Sequence, residues 1–159
     1  EIIGYVGSGC KIQITCGQCK KKIDTMYYSF TPIKAICPEC NTRQDVDDMA
    51  FEAVIENSVR KIFDQYRRVA VWGTGEIAEA LFDKSTILKE QKLFVVDSNV
   101  KKQSSLFFGY SVCDPQTLTE KQIEVVIIAS HSYADEIESE IKNFHSVKKC
   151  IKVNELNTF

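Results

Sequence analysis

The chain has 159 residues, 44% of them apolar and 26% charged, with a formal net charge of −2. That length suits one ordinary domain or two small ones, able to bury roughly two-thirds of the unfolded surface, and the composition excludes a disordered or collagen-like chain. The near-neutral balance offers no global basic field for nucleic acid or anionic membrane, and the longest apolar run, Val125–Ala129, is far short of the ~20 residues of a membrane span.

Residues 1–44 hold six of the ten glycines and prolines and five of the seven cysteines. Short β-prone runs, Ile2–Val6, Lys11–Thr15, Thr25–Phe30 and Ile33–Ile36, are separated by Gly7-Ser8-Gly9, Gly17-Gln18 and Thr31-Pro32. They predict small antiparallel hairpins. A segment this short has too little core to fold unaided, so a metal staple is expected.

The staple is legible as Cys16-Gly17-Gln18-Cys19 and Cys37-Pro38-Glu39-Cys40. A two-residue gap lets both sulfurs of a pair turn onto one ion, and two such knuckles complete a tetrahedron of thiolates. Zn(II) is the expected ion, with iron its chief competitor. Four protein ligands leave no open position, so the metal is expected to hold structure rather than do chemistry. A thioredoxin-like redox pair would instead open a helix after a strand. Cys113 and Cys150 read as core or half-buried thiols, and Cys10 lacks a partner at knuckle spacing. Clustered ligands and an odd cysteine count point to a reducing compartment, with the cytoplasm the expected location. The chain starts at Glu1 without Met or a signal-peptide pattern, as expected of a trimmed or excised piece.

The quartet resembles a zinc ribbon over residues 10–42. Zinc ribbons serve as nucleic-acid binders, adaptors and spacers, so this likeness leaves function open. Six basic residues face three acidic ones across residues 1–44. A zinc tetrathiolate is itself negative, so Lys20, Lys21 and Lys22 read as its compensation more than as a phosphate patch, which argues against nucleic acid.

Residues 45–67 predict a linking helix. Asp45 or Asp47 can cap it, and Phe51, Ile55, Val59, Ile62 and Tyr66 form one apolar stripe. The stripe is expected to pack on the next domain; a protein partner through this helix or the ribbon is the alternative.

From residue 68 to 159 strands alternate with helices. Strands are expected at Val69–Trp72, Leu93–Val96, Phe107–Val112, Val125–Ala129 and Lys148–Val153, and helices at Glu76–Phe82, Thr117–Gln122 and Tyr133–Asn143. This predicts an α/β fold with a five-stranded, mostly parallel, Rossmann-like sheet. Gly73-Thr74-Gly75-Glu76-Ile77-Ala78 is a G-x-G-x-x-A turn between strand and helix. Gly73 allows a tight turn, Gly75 lets a phosphate approach the backbone, and the helix start offers unpaired N–H groups to an anion. Asp97 ends the next strand, where an acid takes ribose hydroxyls. Glu76 lies at the mouth of the anion site, where its carboxylate would cap the helix and repel a pyrophosphate. The competing reading is a turn kept for packing alone.

Ser130 and His131 follow a central strand, at the crevice where open α/β sheets bind ligands. His131 suits a sugar or phosphate contact or a general acid/base; capping or exposure is the plainer alternative. Ser130 or Ser132 reads as a helix cap, since no G-x-S-x-G elbow is present. No Tyr-x-x-x-Lys pair exists either. No residue is therefore assigned as catalytic, and the chain reads as a binder more than as an enzyme. The expected cofactor-binding residues are Gly73, Thr74, Gly75, Glu76, Asp97, Ser130 and His131, and the metal ligands Cys16, Cys19, Cys37 and Cys40.

Val71–Ala78, Val95-Val96-Asp97-Ser98-Asn99, Phe108–Val112 with Asp114-Pro115, and Val126–Ser130 with Tyr133 occur in an order that resembles the accessory Rossmann-like domain of sugar O-acetyltransferases and sugar C-methyltransferases. The resemblance covers residues 68–155. It implies nucleotide or nucleotide-sugar binding, or scaffolding, in sugar or surface-polysaccharide metabolism. NAD(P) is the other ligand class the turn implies. Two further readings remain open: an NAD-linked or sugar-modifying enzyme fragment, and a cofactor-sensing regulator whose ribbon touches nucleic acid.

Overall fold

The computed structural model describes residues 2–6, 9–28, 34–45 and 48–158. The chain divides into two compact units, Glu1–Phe51 and Glu52–Phe159.

In the first unit β1 (Ile2–Val6), β2 (Gly9–Thr15) and β3 (Lys22–Tyr28) form an antiparallel sheet in that order. A second sheet pairs β4 (Lys34–Ile36) with β5 (Arg43–Asp45), Ile36 opposite Arg43. The predicted hairpins are present, and β5 is added to them. Thr31-Pro32 and Gly7-Ser8 lie outside the described residues. Among the described side chains the core here is Cys16, Ile23 and Cys37, with Ile14, Cys19 and Cys40 packed around it.

Helix α1 runs over Asp48–Gln65. Its start differs from the expected one: Asp45 belongs to β5, and Asp47 lies outside the described residues. The apolar stripe holds at Ile55, Val59 and Ile62, all buried. Glu56 ties the helix to a segment thirty residues further along the chain, accepting from Ser85 Oγ at 2.6 Å and Ile87 N at 3.1 Å.

The second unit is built on β6 (Val69–Trp72), β7 (Phe94–Val96), β8 (Leu106–Phe107), β9 (Tyr110–Cys113), β10 (Val125–Ile128) and β11 (Lys149–Lys152). Its sheet has six strands, not five, in the order β11-β10-β6-β7-β9-β8. The expected strand over Phe107–Val112 is in fact a hairpin: Phe108 (φ +48°) and Gly109 (φ +87°) make a two-residue turn with both residues left-handed. β8 therefore returns antiparallel on β9, while the other five strands are parallel. Between the strands lie α2 (Glu76–Lys84), α3 (Thr86–Glu90), α4 (Thr117–Glu120) and α5 (Ala134–Ile141), and a 3-10 turn at Val153–Thr158 comes after β11. α3 and the 3-10 turn are additions to the predicted elements.

Every residue of β6 and β10 is buried, as a sheet covered on both faces requires. Ala70, Trp72, Val126 and Ile128 share one core with Leu118, Ile137, Ile141 and Phe144, and Trp72 meets Phe144 edge-on at 6.3 Å. By alternation Val69, Val71, Val125 and Ile127 face the other way, and they too are fully buried. Glu124 closes the amino-terminal end of the sheet, accepting from Arg67 N, Arg68 N and Lys148 Nζ. No helix among the described residues is long and apolar enough to cross a membrane.

The parallel strands, taken in chain order, are arranged 3-2-1-4-5 across the sheet, which is the Rossmann arrangement. β6 and β10 are neighbours from which the chain winds outward in opposite directions. Their carboxyl ends are the topological switch point, where ligands bind in such sheets.

Candidate functional site

The four-cysteine centre is made of two knuckles with one hydrogen-bonding plan. Cys16 N donates to Lys21 O at 2.9 Å and Lys20 N to Cys16 O at 3.0 Å; Cys37 N donates to Thr42 O at 2.9 Å and Asn41 N to Cys37 O at 2.8 Å. Lys20 (φ +61°) and Asn41 (φ +54°) hold the same left-handed position in each. The four Sγ atoms lie within 4.8 Å of one another, with Cys16–Cys40 and Cys19–Cys37 each at 3.6 Å. Four thiolates ~2.3 Å from one tetrahedral zinc stand about 3.8 Å apart, so the donor set and spacing fit such an ion. Lys21 and Glu39 join the two knuckles through an exposed ion pair of 2.8 Å.

Electrostatics at the cluster are divided. Hydrogen bonding with the Thr42 side chain and backbone holds the Cys40 thiol down to about 6, and the Cys19 backbone N–H lowers Cys16. The Lys21 backbone N–H favours the Cys19 thiolate, but burial and the neighbouring sulfurs outweigh it and push the group up to about 11. Four sulfurs this close cannot all ionise unless a cation sits among them. Thr42, which also bonds Gln18 Oε1, was not legible as a partner of the cluster.

In the second unit the glycine turn divides its two glycines by function. Gly73 has φ +112°, and a Cβ there would meet Ala129 O at 3.0 Å; its N–H donates to Val96 O at 2.9 Å. The backbone at the end of β10 therefore leaves no room for a side chain. Gly75 is different: it is the N-cap of α2, extended at φ −92° and ψ −171°, without a side-chain cap bond. A Cβ there would meet nothing within 4 Å. Glu76 opens α2 and is exposed, and Ala78 is fully buried where the helix meets its surroundings.

Asp97 stands beside the turn because β6 and β7 pair with Trp72 opposite Val96. Its Oδ2 accepts from Thr74 Oγ1 at 2.6 Å and Thr74 N at 3.1 Å, and its Oδ1 from Asn99 N at 2.9 Å. Lys102 Nζ is 3.6 Å from Oδ2. The Asn99 bond is an Asx turn that Asp97-Ser98-Asn99 could have signalled; the Thr74 pairing had no signal in the sequence. Across the switch point, Ser130 Oγ accepts from Tyr133 N at 3.2 Å at the start of α5, so its hydroxyl serves the helix end. Burial lowers the His131 pKa, and its buried Nε2 has no hydrogen-bond partner among the described residues. The structure thus gathers Gly73, Thr74, Gly75, Glu76 and Asp97 at one turn, with Ser130 and His131 on the adjacent strand end.

No curated protein matches the chain. Among solved structures, UDP-D-quinovosamine 4-dehydrogenase from Vibrio fischeri is 14% identical over 57% of this chain and 83% of its own, with a TM-score of 0.41. Mycobacterium tuberculosis fatty acyl CoA synthetase is 17% identical over 80% of this chain and 24% of its own, with a TM-score of 0.36. The family model described as C2185-like, N-terminal, matches residues 65–151. That span takes in every strand of the six-stranded sheet but the last residue of β11, and more than half of the sequence; the protein belongs to the C2185-like N-terminal family.

Proposed function

We propose that the chain is a non-enzymatic binding module in which the α/β unit takes a nucleotide or nucleotide-sugar at the glycine turn and the cysteine unit, a zinc ribbon, holds one structural Zn(II). One observation carries the ligand reading. Gly75 has a backbone that any residue adopts and open space where its side chain would be. The fold does not need glycine there, so packing alone gives no reason for it, whereas close approach of a phosphate does. The uncapped start of α2 supplies N–H groups and a favourable dipole for that anion. Ser130 and His131 stand where the rest of a ligand would extend.

The non-enzymatic reading rests on His131. A general base needs a second group to orient it or to stabilise developing charge, and among the described residues none bonds the buried His131 Nε2. An accessory role in sugar or surface-polysaccharide metabolism rests on the order of motifs around Val71–Ala78 and Val126–Tyr133.

The test is Gly75→Val. A ligand at a hundredfold its Kd stabilises the wild-type unit by about 2.7 kcal/mol, a rise on the order of 10 °C for a unit of this size. Thermal shifts with NAD, NADP, UDP-sugars and CMP-sugars should show such a rise in wild type and none in Gly75→Val, whose unliganded Tm stays near wild type. An equal shift in both proteins would show that the ligand binds elsewhere. Steady turnover of a nucleotide-sugar or NAD(H), lost in His131→Ala, would replace the binding module with an enzyme.

A further inference from the structure

We infer that Asp97 is a positioning residue that holds the glycine turn through Thr74, and that it does not accept the ribose hydroxyls its place after β7 would otherwise assign to it. The inference rests on the nucleotide reading above and says which part of the ligand that site reads.

A carboxylate has about four lone-pair directions. At Asp97, Thr74 Oγ1 and Thr74 N fill two on Oδ2, Asn99 N fills one on Oδ1, and the Lys102 ammonium stands 3.6 Å from Oδ2. The side chain is only 13% exposed. Oδ1 keeps one direction open, but a ribose diol bound to both carboxylate oxygens, as the reading of ribose requires, would have to displace the 2.6 Å bond from Thr74 on Oδ2, which belongs to the short, charge-assisted class. Such an exchange replaces one hydroxyl donor with another and gains little. The turn itself is fixed from two sides. Gly73 N is tied to Val96 O at 2.9 Å, and the next residue, Thr74, is tied to Asp97. Gly75 comes next, with its open side free. Asp97 therefore governs how the backbone at Gly75 is presented to a phosphate, and the sugar hydroxyls go unread at this position.

The experiment compares pyrophosphate, which has no ribose, with ADP and UDP by titration calorimetry on the full chain. Asp97→Ala should weaken all three by the same factor, tenfold or more. Thr74→Val should weaken all three by one common factor too, and the double variant should be no worse than Asp97→Ala within twofold, because removing the carboxylate already removes the bond from the Thr74 hydroxyl. Thr74→Ser keeps the hydroxyl and should bind as wild type does. Loss of ADP and UDP affinity in Asp97→Ala with pyrophosphate unchanged would overturn the inference and assign Asp97 to the ribose. Multiplying effects in the double variant would overturn it as well. Failure of wild type to bind any of the three would remove the nucleotide reading and this inference with it. Should Asp97→Ala not fold, Thr74→Val decides alone: equal loss for the three probes supports the inference, and no loss overturns it.

Discussion

Replacing each glycine of the turn by alanine separates what the fold requires from what it does not. At Gly73 alanine would inherit φ +112° and a Cβ 3.0 Å from Ala129 O. The backbone term costs about 1–3 kcal/mol, and moving the carbonyl at the end of β10 adds roughly 1 kcal/mol or more. The variant should lose about 2–4 kcal/mol in total. At Gly75 the extended backbone and open surroundings leave only the poorer N-cap, a cost below ~1 kcal/mol. Trp72 is the only tryptophan, is 1% exposed and directly precedes Gly73, so its fluorescence reports on the α/β unit alone. With a urea m-value of about 1–3 kcal/mol/M, Gly73→Ala should lower the midpoint by roughly 1–2 M and Gly75→Ala by a small fraction of that. Equal midpoint shifts in the two variants would refute the reasoning, and with it the claim that only Gly75 is free of the fold.

Protein purified without chelator should carry one zinc per chain by elemental analysis, and Cys37→Ser should lose it, with structure lost in the first unit while the Trp72 transition stays in place. Ser85 is fully buried, donating to Glu56 and accepting from Leu88 N at 3.2 Å; Ser85→Ala strands the Leu88 N–H and takes one of the donors from Glu56, and should cost about 1–3 kcal/mol in the same urea assay. The Lys148 ammonium, then the Arg67 and Arg68 backbone N–H groups, hold Glu124 down to about 2 from 4.5. A depressed carboxyl pKa stabilises the fold above the unfolded value and loses that contribution as pH falls through the folded one. Wild type should therefore exceed Glu124→Gln in urea midpoint at pH 7, with the gap closing between about pH 4.5 and 2; a gap independent of pH would show that the charge contributes nothing.

Much of the α/β unit was legible because its central strands are apolar throughout and its helices carry period-3.6 stripes. What escaped was short or lacked punctuation. The β8–β9 hairpin was hidden because its turn is Phe108-Gly109, where the usual Asn-Gly signal is absent and a phenylalanine takes the left-handed backbone. α3 has five residues, too few to show a period. β5 is the polar triplet Arg43–Asp45, a strand only because the second knuckle brings it back onto β4. The same divide runs through the sites. The four-cysteine cluster was legible because each pair is local, three residues apart. The bond from Thr74 to Asp97 spans 23 residues and exists only through the register of β6 against β7, which no local pattern records.

The sheet ends in two edges that resist templating. An exposed strand offers a row of unpaired N–H and C=O groups to any other chain, the route to edge-to-edge aggregation. At one edge β8 is two residues long and closes at once in its turn, so an incoming strand finds almost nothing to copy. At the other, β11 reads Lys149-Cys150-Ile151-Lys152, with a lysine at each end of the four-residue ladder. Lys152 is held in ion pairs by Asp135 at 2.6 Å and Glu138 at 2.9 Å, so a second strand laid against this edge meets charged groups at the end of the ladder. The antiparallel appendage that sequence patterning overlooked thus has a colloidal consequence: it covers β9, whose Tyr110-Ser111-Val112-Cys113 backbone would otherwise stand as an edge twice as long as β8.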